Sequence, residues 1–191
     1  MVVGLTGSIA SGKSLVTNYL RKLNYQVIDS DVISHNILFL DDVKKEIVNA
    51  FGKEVLVDNN IDRKILGNIV FNDINKKSLL ESIMLPFIVS EIKKQLSQSD
   101  EILFLDAPLL IEYNLQYLVD KIIVIKVDED IQLKRLMERD NITREYAIKK
   151  IESQLPSIEK LKYANFIIDN SHDINSTYNQ VDKILKQLED K

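Results

Sequence analysis

The residues Gly7-Ser8-Ile9-Ala10-Ser11-Gly12-Lys13-Ser14 fit the pattern G-x-x-x-x-G-K-[ST], which is a phosphate-binding loop. The spacing has a mechanical reason. Glycines allow unusual dihedrals, backbone N–H groups converge on phosphate oxygens, and the helix that follows aims its positive N-terminus at them. In this pattern Lys13 reaches the β- and γ-phosphates, Ser14 ligates Mg²⁺, and Ser8, Ile9, Ala10, Ser11, Gly12, Lys13, Ser14 and Leu15 make up the nucleotide-binding set. The chain has only five glycines, and three of them (Gly4, Gly7, Gly12) fall within its first twelve residues, which argues against coincidence.

Further groups suit phosphoryl transfer, which needs a carboxylate for the acceptor hydroxyl, Mg²⁺, and cations on the moving charge. Val27-Ile28-Asp29-Ser30-Asp31 carries two carboxylates, Phe104-Leu105-Asp106 ends in the manner of a Walker B segment, and Gln132, Arg135 and Arg139 share one helix face. Each has a plainer reading: Asp29 or Asp31 as a helix cap, Asp106 as a turn residue, His35 as a packing residue, and the basic cluster around Lys134 as a solvated face. The sequence lacks guanine-binding N-K-x-D, any D-x-x-G and L-S-G-G-Q, which disfavours GTPases and ABC-type ATPases. Another small-molecule kinase and a nucleotide-operated switch remain the alternatives.

These groups need a scaffold. β-rich runs at Val2–Leu5, Gln26–Ile28, Ile102–Leu105, Ile122–Val127 and Phe166–Ile168 alternate with helical periodicity, the signature of a parallel sheet flanked by helices. Such sheets bind ligands beyond the carboxyl ends of their strands, where the loop, Asp29/Asp31, Asp106 and Asp128 lie. The fold expectation is therefore an α/β domain with a five-stranded parallel sheet, a core of 1–35, 100–128 and 164–191, a helical insertion at about 36–99 and a helical lid at about 129–163. The insertion shows apolar patterns over Val43–Phe51 and Leu79–Leu96 and no strong strand, and Pro86 should kink or split the second. Tyr178, Val181, Ile184, Leu185 and Leu188 mark an amphipathic closing helix.

With 191 residues, 45% of them hydrophobic, the chain can bury one sizeable core. Zero cysteines exclude disulfides, thiolate nucleophiles and Cys-ligated zinc, and only two histidines argue against a multi-His metal site, leaving oxygen-ligated Mg²⁺ as the expected metal. A net charge of −4 argues against nucleic acid as a partner. No apolar run approaches the ~18 residues of a membrane span, so a cytoplasmic protein, monomeric or weakly homo-oligomeric, is expected.

The order of segments closely resembles the dephospho-CoA kinase family almost end to end. The resemblance is carried by Val3-Gly4-Leu5-Thr6-Gly7 with Ser11-Gly12-Lys13-Ser14, Val27-Ile28-Asp29-Ser30-Asp31 with His35, and Ile61-Asp62-Arg63. Further along it is carried by Pro108-Leu109-Leu110-Ile111-Glu112, Gln132…Arg135…Arg139, Gln154-Leu155-Pro156 and Ile168-Asp169-Asn170. It implies a P-loop NTPase fold and ATP-dependent phosphorylation of the ribose 3′-hydroxyl of dephospho-CoA. It also implies Asp31 as the carboxylate for that hydroxyl, Arg135 and Arg139 on phosphoryl charge, Asp106 acting on Mg²⁺ through water, and Arg63 with His35 as acceptor contacts. Ser8 and Ala10 stand where the family's loop commonly has glycines, and both are small.

Overall fold

The computed structural model describes residues 1–71, 73–98 and 101–190. In chain order its elements are β1 (Val2–Gly7), α1 (Lys13–Lys22), β2 (Gln26–Asp29), α2 (Ser30–Ile37), α3 (Asp41–Phe51), β3 (Leu56–Val57), β4 (Asn60–Ile61), α4 (Arg63–Phe71), α5 (Ile74–Leu96), β5 (Leu103–Asp106), β6 (Lys121–Lys126), α6 (Glu129–Asp140), α7 (Arg144–Glu152), α8 (Ser157–Leu161), β7 (Phe166–Asp169) and α9 (Ile174–Glu189). They form two compact units, one of residues 1–28 with 101–190, the other Asp29–Gln98. Among the described residues no helix is long and apolar enough to cross a membrane.

The first unit is built on the expected five-stranded sheet, in the order β2-β5-β1-β6-β7. Parallel pairing sets Leu5 beside Asp106 and Gly7 beside Ile125, so the loop after β1 and the carboxylate ending β5 emerge at the same end. Strands buried on both faces need apolar side chains throughout, which is why Val3, Leu5, Phe104, Ile123 and Ile125 read as runs rather than alternations. Val16 and Leu20 of α1 and Val181, Ile184, Leu185 and Leu188 of α9 close the same core. The α9 stripe is the one its helical periodicity predicts.

The edge strand β7 is held at its end by charge and by α9. Lys126 and Asp169 are register partners and form an ion pair. Gln180 of α9 accepts from the Asp169 N–H and donates to the Asp169 carbonyl, both at 2.9 Å. Burial pushes the Asp169 carboxyl up, but Lys126 and the hydroxyl and amide of Ser171 outweigh it and hold the group at about 2.

The second unit departs from the sequence reading in three places. Helix α2, expected in the core, packs on α5 within this unit. The segment is not wholly helical, because β3 and β4 pair as an antiparallel hairpin. Asp58 and Asn59 connect them at φ 48° and 61°, the left-handed pair that a tight two-residue hairpin requires. Two-residue strands are too short for alternation to register. Finally, α5 runs unbroken through Pro86. Proline removes one ladder bond, yet α2, α3 and α4 all pack along α5 and sustain it.

The low pKa of Asp169 gives a stability prediction. Its folded value of about 2 lies below the ordinary 3.8, so the carboxylate's contribution is complete above about pH 4 and is lost as pH falls through 2. Asp169→Asn should therefore melt below the parent at neutral pH, with the gap closing between pH 3.8 and 2. Thermal melts across that range check it.

Candidate active site

In the first unit the loop between β1 and α1 bends through two left-handed residues, Ala10 at φ 59° and Gly12 at φ 88°. Ser11 N–H donates to Ser8 O at 3.1 Å and Leu15 N–H to Gly12 O at 2.9 Å, which rolls the loop into the helix start. Gly12 is the N-cap of α1, without a side-chain cap and with no acidic residue in the first turn. The first N–H groups of the helix lack intrahelical partners, so this end favours an anion. A Cβ on Gly7 would lie 2.6 Å from the Ile125 carbonyl, and one on Gly12 would lie 1.9 Å from Asn170 Nδ2. Gly7 is thus required by close backbone packing, and Gly12 by its left-handed backbone together with the Asn170 side chain against it.

The Lys13 ammonium forms an ion pair with Asp106, whose residue is 4% exposed. Asp106 is therefore more than a turn residue: it supplies the counter-charge that a largely buried ammonium needs. Ser14 is exposed at the start of α1. Among the described residues no cluster of three or more His, Cys, Asp or Glu forms a metal cage. The oxygen donors on offer, the Ser14 hydroxyl and the Asp106 carboxylate, fit Mg²⁺, which keeps several waters and takes phosphate oxygens.

Helix α6 brings two of its three predicted polar residues to the loop. Gln132, 5% exposed, donates from Nε2 to Ile9 O at 2.7 Å, and Arg135 donates to Asn170 O at 3.0 Å. Arg139 goes elsewhere. Its Nε donates to Asp140 at 2.8 Å, and Lys150 binds the same carboxylate at 2.7 Å. Arg139 and Lys150 hold the Asp140 carboxyl well below the usual range. Lys134 is exposed, as a solvated face requires.

Some participants appear in the sequence only as parts of motifs. Gln154 Oε1 accepts from the Ile9 N–H at 2.8 Å, and Asn170 Nδ2 donates to Ser11 O at 2.8 Å. Lys160, fully buried, pairs with Glu112 at 2.8 Å and donates to Pro108 O at 2.8 Å, where the Thr6 hydroxyl also donates. A lone lysine in a short helix carries no pattern that announces burial, and it is the carboxylate of Pro108-Leu109-Leu110-Ile111-Glu112 that makes it tolerable.

In the second unit Asp29 ends β2 and caps α2, accepting from Asp31 N–H at 3.0 Å and Val32 N–H at 3.2 Å. Capping is thus the role of Asp29. Asp31, His35 and Arg63, the three expected acceptor residues, line one cleft of about 370 Å³ with Ser34, Leu38, Leu66 and Met84 among its walls. The His35 ring sits edge-on to Phe39 at 5.6 Å, and its Nδ1 is buried without a hydrogen-bond partner. Packing and ligand contact are therefore both open to this histidine.

Comparison with known proteins agrees with this geometry. The dephospho-CoA kinase family model matches residues 1–176. A dephospho-CoA kinase of Oceanobacillus iheyensis is 40% identical, covering 98% of this chain and 97% of that protein. One from Carboxydothermus hydrogenoformans is 42% identical, covering 97% and 93%. The chain belongs to the dephospho-CoA kinase family. The solved structure of a dephospho-CoA kinase from Campylobacter jejuni superimposes with a TM-score of 0.67 at 33% identity, over 97% of this chain and 96% of that one. The P-loop kinase fold is shared.

Within a dephospho-CoA kinase loop, Gly12 is the position least able to carry a side chain. Gly12→Ala puts a methyl group against Asn170 in a left-handed backbone. Destabilisation of about 1–3 kcal/mol is expected from strain, with ATP affinity reduced by about tenfold or more as the loop shifts. Thermal melts and ATP titration read the two effects separately, and unchanged ATP affinity would remove Gly12 from the phosphate site.

Proposed function

We propose that the chain performs its family's reaction, ATP-dependent phosphorylation of the ribose 3′-hydroxyl of dephospho-CoA to give CoA and ADP, with the donor on the Gly7–Ser14 loop and the acceptor in the Asp31 cleft. The observation that carries this assignment of residues is the convergence of Asp31, His35 and Arg63 on one cleft. A carboxylate, an imidazole and a guanidinium beside apolar walls suit a nucleotide-like acceptor: Arg63 for phosphate, Asp31 for the hydroxyl, His35 Nδ1 for a hydrogen bond.

Phosphoryl transfer asks for position and charge rather than covalent help from the protein. The loop amides and Lys13 bind the β- and γ-phosphates, so an arriving triphosphate competes with Asp106 for the ammonium. Arg135, beside Gly12, adds positive charge as negative charge spreads over the transferring group. Arg139 joins only after leaving Asp140, a rearrangement suited to a lid, which residues 129–163 form. Asp31 orients the acceptor hydroxyl and takes its proton as the bond to phosphorus forms. Ser14, and Asp106 through water, would hold a Mg²⁺ ion, which when bound would supply positive charge against phosphate oxygens. The enzyme works in the cytoplasm, where ATP is abundant, as a monomer or weak homo-oligomer.

Two measurements test the reading. ADP release with ATP and Mg²⁺ should depend on dephospho-CoA, and mass analysis should show one added phosphoryl group on that acceptor. Faster phosphorylation of AMP, CMP or a nucleoside overturns the acceptor assignment. Asp31→Asn should lower kcat about 10²–10⁴-fold, while the Kd of a non-hydrolysable ATP analogue stays within about twofold. Near-parental turnover would strip Asp31 of its role.

A further inference from the structure

A loop that cradles phosphate must keep its carbonyl oxygens turned outward, because they repel the anion its N–H groups attract. In a planar trans peptide the C=O of one residue and the N–H of the next point in opposite directions, so whatever grips the first also aims the second. Three side-chain carboxamides grip this loop. Gln132 donates to Ile9 O at 2.7 Å, Asn170 donates to Ser11 O at 2.8 Å, and Gln154 accepts from Ile9 N–H at 2.8 Å. The Ala10 N–H is thereby turned away from Gln132 and the Gly12 N–H away from Asn170. Gln154 acts differently, because it holds an N–H rather than a carbonyl: it pins the Ser8–Ile9 peptide where the loop begins, and the Ser8 carbonyl on the opposite side is taken up by the Ser11 N–H, so that it is not left unpaired against an anion.

The grips are themselves anchored. Asn170, 3% exposed, accepts from the Thr177 hydroxyl at 2.9 Å on its side chain, accepts from Arg135 on its carbonyl and donates from its N–H to Lys126 O. Next to Gln154, the Leu155 N–H donates to Glu112 at 3.4 Å, the carboxylate that Lys160 holds. The need for such support is visible in the backbone. Ala10 occupies the left-handed region at φ 59° without glycine's freedom, and the branched Ile9 precedes it.

We propose that Gln132, Gln154 and Asn170 are positioning residues for the triphosphate: they touch the loop rather than the substrate, and they set phosphate affinity by fixing the peptide planes of Ile9 and Ser11. The inference rests on the donor-site reading above and deepens it by naming what keeps that site in shape. It differs from a packing role in one respect. The Gln132 contact requires a donor, and a side chain of the same size that cannot donate fails.

Calorimetric titration with inorganic tripolyphosphate and Mg²⁺ tests this independently of any acceptor. The parent protein should bind, and absence of binding would defeat the donor-site reading itself. Gln132→Met should bind about tenfold more weakly, the equivalent of about one hydrogen bond, with the KM for dephospho-CoA within about twofold of the parent. Gln132→Glu should be weaker still near pH 7.5 and should recover toward the parent, compared at the same pH, as the pH falls through about 4.3, where a protonated carboxyl again donates to Ile9 O. Asn170→Leu, which removes the donor to Ser11 O, gives the same readout and the same overturning result should the Gln132 variants not fold. Binding by the methionine variant within twofold of the parent, or weakened binding in Gln132→Glu with no recovery at low pH, overturns the inference.

Discussion

The pairing of Lys13 with Asp106 is the constraint on which the first unit is organised. An ammonium at the mouth of a phosphate site must be desolvated to act strongly, and a desolvated cation needs a counter-charge of its own. Parallel pairing of β1 with β5 supplies it, since the register that aligns Leu5 with Asp106 brings that carboxylate to the end where the loop begins. The sheet order, the crossover through α1 and the apolar fill from α9 all serve to hold those two strand ends in register. A one-residue slip would carry the carboxylate off the lysine and turn the strand's inward side chains outward.

A hierarchy of polar contacts follows. Charge holds Lys13, carboxamides hold the peptides of the loop, and a fully buried lysine holds the segment after Asp106 through Glu112 and Pro108. These contacts lie where irregular backbone must be kept rigid without a ladder, so each carbonyl that is not in a strand needs a named partner. Thr6 and Lys160 meeting on one carbonyl, Pro108 O, illustrate the economy of the arrangement.

Much of this was legible in the residues because the relevant signals are local. Five strands, the loop and the closing helix follow from runs and periodicities within a window of a few residues, and the carboxylates at the strand ends follow from the strands. Asp31, His35 and Arg63 meeting in one cleft was anticipated through resemblance rather than spacing, since a long stretch of chain separates Arg63 from the other two. What escaped was either very short or non-local. The Leu56–Val57 and Asn60–Ile61 hairpin is too brief for a pattern, and the unbroken course of α5 through Pro86 depends on neighbouring helices. The burial of Gln132 in place of Ile131, Leu133 and Met137, which stay half-exposed, depends on an acceptor more than a hundred residues away in sequence. Arg139 was read with Arg135 from their shared face, but adjacency to Asp140 decided its contact.

The sheet ends on both sides in strands of only four residues, β2 and β7. An outermost strand offers a row of backbone groups to any passing chain, and its hazard grows with its length and flatness. Here the long six-residue strands β1 and β6 are interior, with β5, β1 and β6 shielded on both flanks. The Lys126–Asp169 pair adds charge at one rim. An enzyme so arranged exposes little template for amyloid-like stacking, so the surface loops and helices that carry its chemistry sit apart from any risk of fibre growth.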